Sequence, residues 1–136
     1  MNTLTQRCEF GCCYLYSGKL SAYRYKVEAT VKSSDPNFSD AMLVDFKRLK
    51  TLMESVIEDG SYLYDSGHVT ASEIGKCLSS YNSYVVSFDK QVSCESICEF
   101  YANRLHQIIY PLGMEIVEVK LRENSNSFVT FTPDSL

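Results

Sequence analysis

From Tyr23 to Lys32 the chain alternates without a break. Tyr23, Tyr25, Val27, Ala29 and Val31 fall on one side, and Arg24, Lys26, Glu28, Thr30 and Lys32 on the other. A period of two held this long fits a strand and no helix. The clean division into apolar and polar sides gives it one face in a core and one in water, the mark of an antiparallel sheet. Residues 21–32 are therefore the clearest strand. Upstream, over 4–16, Phe10, Cys12, Tyr14 and Tyr16 alternate with Glu9, Gly11, Cys13 and Leu15, and Ser17-Gly18 supplies turn chemistry between the two segments.

The period then changes. Ser33-Ser34-Asp35-Pro36-Asn37 reads as a loop. Over 45–58, Phe46, Leu49, Met53, Val56 and Ile57 recur at helical spacing, with Lys47, Arg48, Lys50 and Glu54 outside and Gly60 just past the end. The pattern weakens from Asp59 to Asn82; Thr70 to Leu78 suits a short helix interrupted by Gly75, and Tyr84 to Phe88 a short strand. A second long helix is predicted over 94–109, with Ser93 as N-cap, Glu95 in the first turn, a stripe of Ile97, Tyr101, Leu105 and Ile108, and Pro111 and Gly113 as stops. Val117, Val119 and Leu121 alternate with Glu118, Lys120 and Arg122, residues 124–127 turn, and Phe128 to Thr132 returns.

A chain of 136 residues holds one core of useful size, so residues 1–136 are read as a single domain. Its 45% apolar content excludes disorder as the main state, and no run approaches the roughly 20 apolar residues that cross a bilayer. A net charge of −4 leaves no basic excess for nucleic acid. The polar opening residues do not read as a secretory leader. With six cysteines at 8, 12, 13, 77, 94 and 98, that suggests reduced thiols in a cytoplasmic protein. Cys94 and Cys98 share a helical face, a spacing compatible with metal, but apolar filler is the simpler role.

One residue breaks the closing strand's pattern. The row 117, 119, 121 continues to Glu123. Two readings stand: the strand ends there and the carboxylate is solvated, or Glu123 anchors a ligand with paired N–H donors, such as a pterin or guanine edge.

Three segments in order resemble the 6-pyruvoyl-tetrahydropterin synthase and 6-carboxy-tetrahydropterin synthase family, of the tunnelling fold. Ala41-Met42-Leu43-Val44-Asp45-Phe46-Lys47-Arg48-Leu49-Lys50 is similar to its Gly-Met-Val-x-Asp-Phe-x-x-Leu-Lys stretch. Val92-Ser93-Cys94-Glu95-Ser96-Ile97-Cys98 is similar to its Pro-Thr-x-Glu-Asn-x-Ala helix start, and Val117-x-Val119-x-Leu121-x-Glu123-Asn124 to its closing strand. The resemblance spans about 7 to 131. It implies an α+β fold with elements in the order ββααββ: a four-stranded antiparallel sheet with two helices on one face. It also implies a homo-oligomer, trimer or hexamer, and a pterin- or purine-like ligand held by Glu123 with backbone groups at Ser93 and Cys94.

The resemblance also implies a zinc site, which this sequence does not fill. The family's three histidines fall at Tyr14, Ser21 and Tyr23, and the chain has only two histidines, His68 and His106. Three-histidine zinc within this chain is excluded by count. At the family's catalytic positions stand Ser17, with Leu15 as the alternative alignment, and Asp59, followed by Gly60 where the family has histidine. No catalytic residue, metal or cofactor is therefore expected. Three functions remain: a paralogue that keeps ring binding without zinc chemistry, a metal-free enzyme with Lys19 or Lys26 as the nearest bases, or a structural oligomer whose exposed sheet edges pair between copies.

Overall fold

The alternating segment is strand β2 (Lys19–Ser33), near the middle of a sheet. The computed structural model describes residues 3–33, 46–57, 59–81, 84–123 and 127–133, with backbone alone at Phe46 and Lys47. Strand β1 (Thr3–Tyr16) pairs antiparallel with β2 along its whole length, from Thr3 opposite Lys32 to Tyr16 opposite Lys19. Ser17 and Gly18 make the turn with φ of 52° and 78°. Positive φ at both central residues gives the primed turn whose twist matches the flanking strands.

Helix α1 (Phe46–Val56) follows. Strand β3 (Ser61–Asp65), helix α2 (Val69–Ser79) and strand β4 (Val85–Phe88) come next, then helix α3 (Cys94–Ile109), a 3-10 turn over Tyr110–Leu112, β5 (Met114–Arg122) and β6 (Phe128–Phe131). The sheet has six strands in the order β4-β3-β1-β2-β5-β6. The consecutive run β1-β2-β5-β6 is antiparallel. The expected four-stranded sheet and ββααββ order are thus corrected: β3 runs parallel to β1 and β4 parallel to β3, making the sheet mixed, and a third α-helix joins the two added strands. Residues 34–37, 41–45 and 124–126 of the sequence motifs lie outside the described residues.

The core fills one face. Phe10, Tyr25, Val31, Leu49, Met53, Ile97, Ile109, Met114 and Leu121 are fully buried there. Leu49, Met53, Val56 and Ile57 give α1 its buried stripe, as their spacing predicts. On α3 the buried set is Ile97, Cys98, Tyr101, Ala102, Leu105 and Ile109, whereas Ile108 is half-buried. Ser93 caps α3: its hydroxyl accepts from the Ser96 amide at 3.2 Å and its own amide donates to the Ser96 hydroxyl at 2.8 Å. The other face of the central strands carries ion pairs, among them Arg7 with Glu28 at 3.1 Å and Arg24 with Glu9 at 3.3 Å.

Two departures from the sequence pattern have local causes. Thr30 sits opposite Glu118 and Val31 opposite Ile116, so Val117 is the extra residue of a β-bulge. The bulge resets the period: Met114, Ile116, Val119 and Leu121 are buried and Val117 is only half-buried, which removes it from the expected row. Strand β3 escapes detection because Ser61, Tyr62 and Leu63 are all buried. Leu63 faces the main core, while Tyr62 and Tyr64 face α2, so no alternation shows.

Gly75 is the contact that lets α2 lie on β3. A Cβ there would meet Tyr64 Cε1 at 2.8 Å. Helix propensity alone gives alanine an advantage of about 1 kcal/mol over glycine, whereas overpacking costs about 1–3 kcal/mol. Gly75→Ala is therefore expected to lower unfolding free energy in urea titrations, and to raise it when made in a Tyr64→Ala background that removes the clash.

Burial also governs the thiols. All six cysteines are free. Burial pushes the Cys8 thiol up to about 11 and those of Cys12 and Cys98 to about 12, from an ordinary 9.0. The folded state thus keeps protons that the unfolded chain releases above pH 9. Stability is expected to be unaffected by these groups below pH 9 and to fall as pH rises from 9 towards 12, by at most about 1.4 kcal/mol per pH unit per thiol. Cys12→Ala should flatten that slope in pH-dependent denaturation.

Candidate functional site

At the turn end of the β1–β2 hairpin, the core face opens into a recess of about 320 Å³. Strands β1 and β2 supply Tyr14, Tyr16 and Tyr23. The first turn of α3 supplies Ser93, Cys94 and Glu95. Leu121, Glu123 and Phe128 close it from the β5–β6 side. Small-ligand sites typically run from about 300 to 1,000 Å³, so the space suits one fused bicyclic ring with small substituents.

Glu123 stands just past the end of β5. Its amide donates to the Ser127 carbonyl at 3.3 Å. The strand ends at Arg122 and Glu123 is exposed, and Glu123 also lines the recess. Opposite it, α3 begins. The amides of Cys94 and Glu95, first in the helix, have no intrahelical acceptor. The three ligand-binding candidates Glu123, Ser93 and Cys94 are therefore brought to one cavity.

Tyr14, Ser21 and Tyr23, the positions that the resemblance gives to the family's zinc ligands, also meet. Tyr14 lies directly across from Ser21, and the Tyr14 and Tyr23 rings stack at 4.5 Å with planes 16° apart. Tyr25 extends the ladder at 6.0 Å from Tyr23. The phenols of Tyr14 and Tyr25 share a hydrogen bond of 2.9 Å, and that of Tyr25 lies 3.5 Å from Cys94 Sγ. Burial raises the Tyr14 phenol above its ordinary range, and burial with these contacts raises that of Tyr25 further. Two phenols and a serine do not match the imidazole or thiolate donors that zinc takes. Among the described residues, no group of three or more His, Cys, Asp and Glu side chains could hold a metal ion.

The remaining candidates go elsewhere. Asp59 Oδ1 accepts from the Gly11 amide at 2.6 Å, and the Gly60 amide donates to the Gly11 carbonyl at 2.7 Å. Asp59 thus pins the start of β3 to β1, outside the recess. Ser17 is in the hairpin turn, Lys19 follows that turn, and Lys26 lies 3.9 Å from Glu9 on the ion-paired face. None of the three lines the recess. His68 caps α2, its Nδ1 accepting from the Ala71 amide at 3.1 Å, and His106 lies against the Tyr110 ring.

Sequence reasoning passed over the Tyr25–Cys94 contact, Glu95 and Phe128 as parts of the site. The residues pairing as Tyr25–Cys94 are far apart in sequence, and only packing of α3 onto the sheet joins them.

Residues 17–134 match the model of the 6-pyruvoyl tetrahydropterin synthase family. The 6-carboxy-5,6,7,8-tetrahydropterin synthase of Haemophilus influenzae is 27% identical over 112 residues, covering 80% of this chain and 77% of that protein. Two solved structures share the fold. An uncharacterized protein from Wolinella succinogenes superposes with a TM-score of 0.70 at 15% identity, over 97% of this chain and 98% of that one. The 6-pyruvoyl tetrahydropterin synthase of Plasmodium vivax gives 0.64 at 17% identity, over 96% and 98%. The match across most of the sequence assigns this chain to the 6-pyruvoyl tetrahydropterin synthase family.

Proposed function

We propose that this protein binds a pterin- or purine-like heterocycle through Glu123 and has lost the zinc-dependent synthase chemistry of its family. The observation that carries the reading is convergence: a carboxylate, a stacked pair of tyrosines and the first amides of a helix border one ring-sized recess. Each group has a complementary part on such a ligand. Paired N–H donors suit the two oxygens of Glu123, the ring face suits Tyr14 or Tyr23, and a ring carbonyl suits the Cys94 amide, the Ser93 amide being held by the Ser96 hydroxyl.

Loss of zinc chemistry is supported by the histidine count and by the phenols at the ligand positions. Ser17 and Asp59, at the family's catalytic positions, are engaged in a turn and in a backbone staple. The edge strands β4 and β6 each leave one side of the sheet unpaired among the described residues, which favours assembly into a homo-oligomer, a trimer or hexamer. No described helix is long and apolar enough to cross a membrane. Free thiols suit a reducing compartment, and we place the protein in the cytoplasm as one tunnelling-fold domain over 1–136.

Fluorescence titration with pterin tests the reading. Binding by the unaltered protein and a roughly ten- to hundredfold loss in Glu123→Ala, with an unchanged melting temperature, is the expected result. Absence of binding would leave the structural oligomer as the better description. Metal analysis of protein purified without chelator should find zinc well below one atom per chain; a full complement would overturn the reading of the tyrosine wall.

A further inference from the structure

The recess is electrically one-sided. Glu95 and Glu123 both line it, among tyrosine, serine, cysteine and apolar side chains, and none of its lining residues is Lys, Arg or His. The cations around it hold other positions: Lys120 lies over the Phe128 ring and 3.6 Å from Glu118, and Lys19 sits across from Tyr16 just after the hairpin turn. Arg122 follows Leu121 and so faces the other side of the sheet, 3.5 Å from Glu28 and over the Phe128 ring. Lys90 pairs with Glu99 at 3.2 Å, and Arg104 lies over Phe100 and donates to the Val56 carbonyl. Lys47 on α1 is the one Lys, Arg or His of the sequence whose side chain is not described.

Glu95 also changes what the start of α3 can attract. An open helix N-terminus carries partial positive charge and draws anions. Here a carboxylate in the first turn already answers that charge. What remains is short-range donation from the first amides, which suits a neutral carbonyl oxygen. An anionic tail in the recess would meet two carboxylates and no cation among the lining residues, and like charges brought together oppose binding.

We infer that the ligand of this recess is a neutral or cationic nitrogen heterocycle bearing no phosphate or carboxylate group. The inference rests on the heterocycle-binding reading above and narrows it by charge. It separates this chain's ligand from phosphorylated or carboxylated pterins, which the same ring contacts would otherwise accept.

A matched pair of probes tests it: 6-hydroxymethylpterin and 6-carboxypterin, nearly equal in size and differing by one negative charge. In fluorescence titrations of the full chain at low ionic strength, the hydroxymethyl compound should bind at least about tenfold more tightly. The gap should narrow in Glu95→Gln, and also on adding salt to the unaltered protein. Equal or tighter binding of 6-carboxypterin would overturn the inference while leaving heterocycle binding intact. Dependence of that binding on Lys19, read in Lys19→Ala, would identify the cation overlooked. A gap unmoved by both salt and Glu95→Gln would overturn its electrostatic basis. Failure of both compounds and of pterin itself to bind would remove the heterocycle reading and the inference together.

Discussion

The long pairing of β1 with β2 governs everything built on it. With β1 held in place, a register slip of one residue would send Tyr25 and Val27 to the ion-paired face and bring Lys26 and Glu28 into the core. Two features prevent the slip. The two-residue turn at Ser17-Gly18 fixes which residues face each other, and the alternation of β2 makes only one face buriable. The same register places Tyr14 across from Ser21 and stacks it on Tyr23, so the wall of the recess follows from the hairpin itself.

What that wall can do follows from its chemistry. Imidazoles at these positions would present lone pairs to a metal. Tyr14 and Tyr23 present ring faces, and the Tyr14 hydroxyl bonds to that of Tyr25, with burial raising both of those phenols. Such a wall offers flat apolar area to a planar ring and no strong electron-pair donor to a cation. Two carboxylates, Glu95 and Glu123, stand on the opposing side of the same recess.

The β3-α2-β4 extension widens the sheet without disturbing its centre. Two parallel strands add to the free edge of β1, and α2 covers the face opposite the main core. The join depends on Asp59, whose carboxylate holds the Gly11 amide while Gly60 bonds the Gly11 carbonyl. Asp59 is thereby part of the sheet's seam. Gly75 serves the extension in another way: lacking a Cβ, it lets α2 approach the Tyr64 ring.

Much of this was legible in the residues. The half-buried strands β1 and β2 and the amphipathic helices α1 and α3 announce themselves because water on one side and core on the other imprint a period. β3 was not legible, since Ser61 to Leu63 are covered on both faces and carry no period; nor was the bulge at Val117, which no local pattern distinguishes from a regular strand. Glu123 could be singled out from the sequence, but whether it faced a cavity could not. By itself the sequence determined the hairpin, the two helices on the core and the absence of a histidine triad, because these depend on local period and on composition. Only the tertiary structure decided that Tyr14, Tyr23, Cys94, Glu95 and Glu123 share one recess and that Asp59 does not, because those distances are set by α3 docking on the sheet and by β3 pairing at its edge, contacts between residues far apart in the chain.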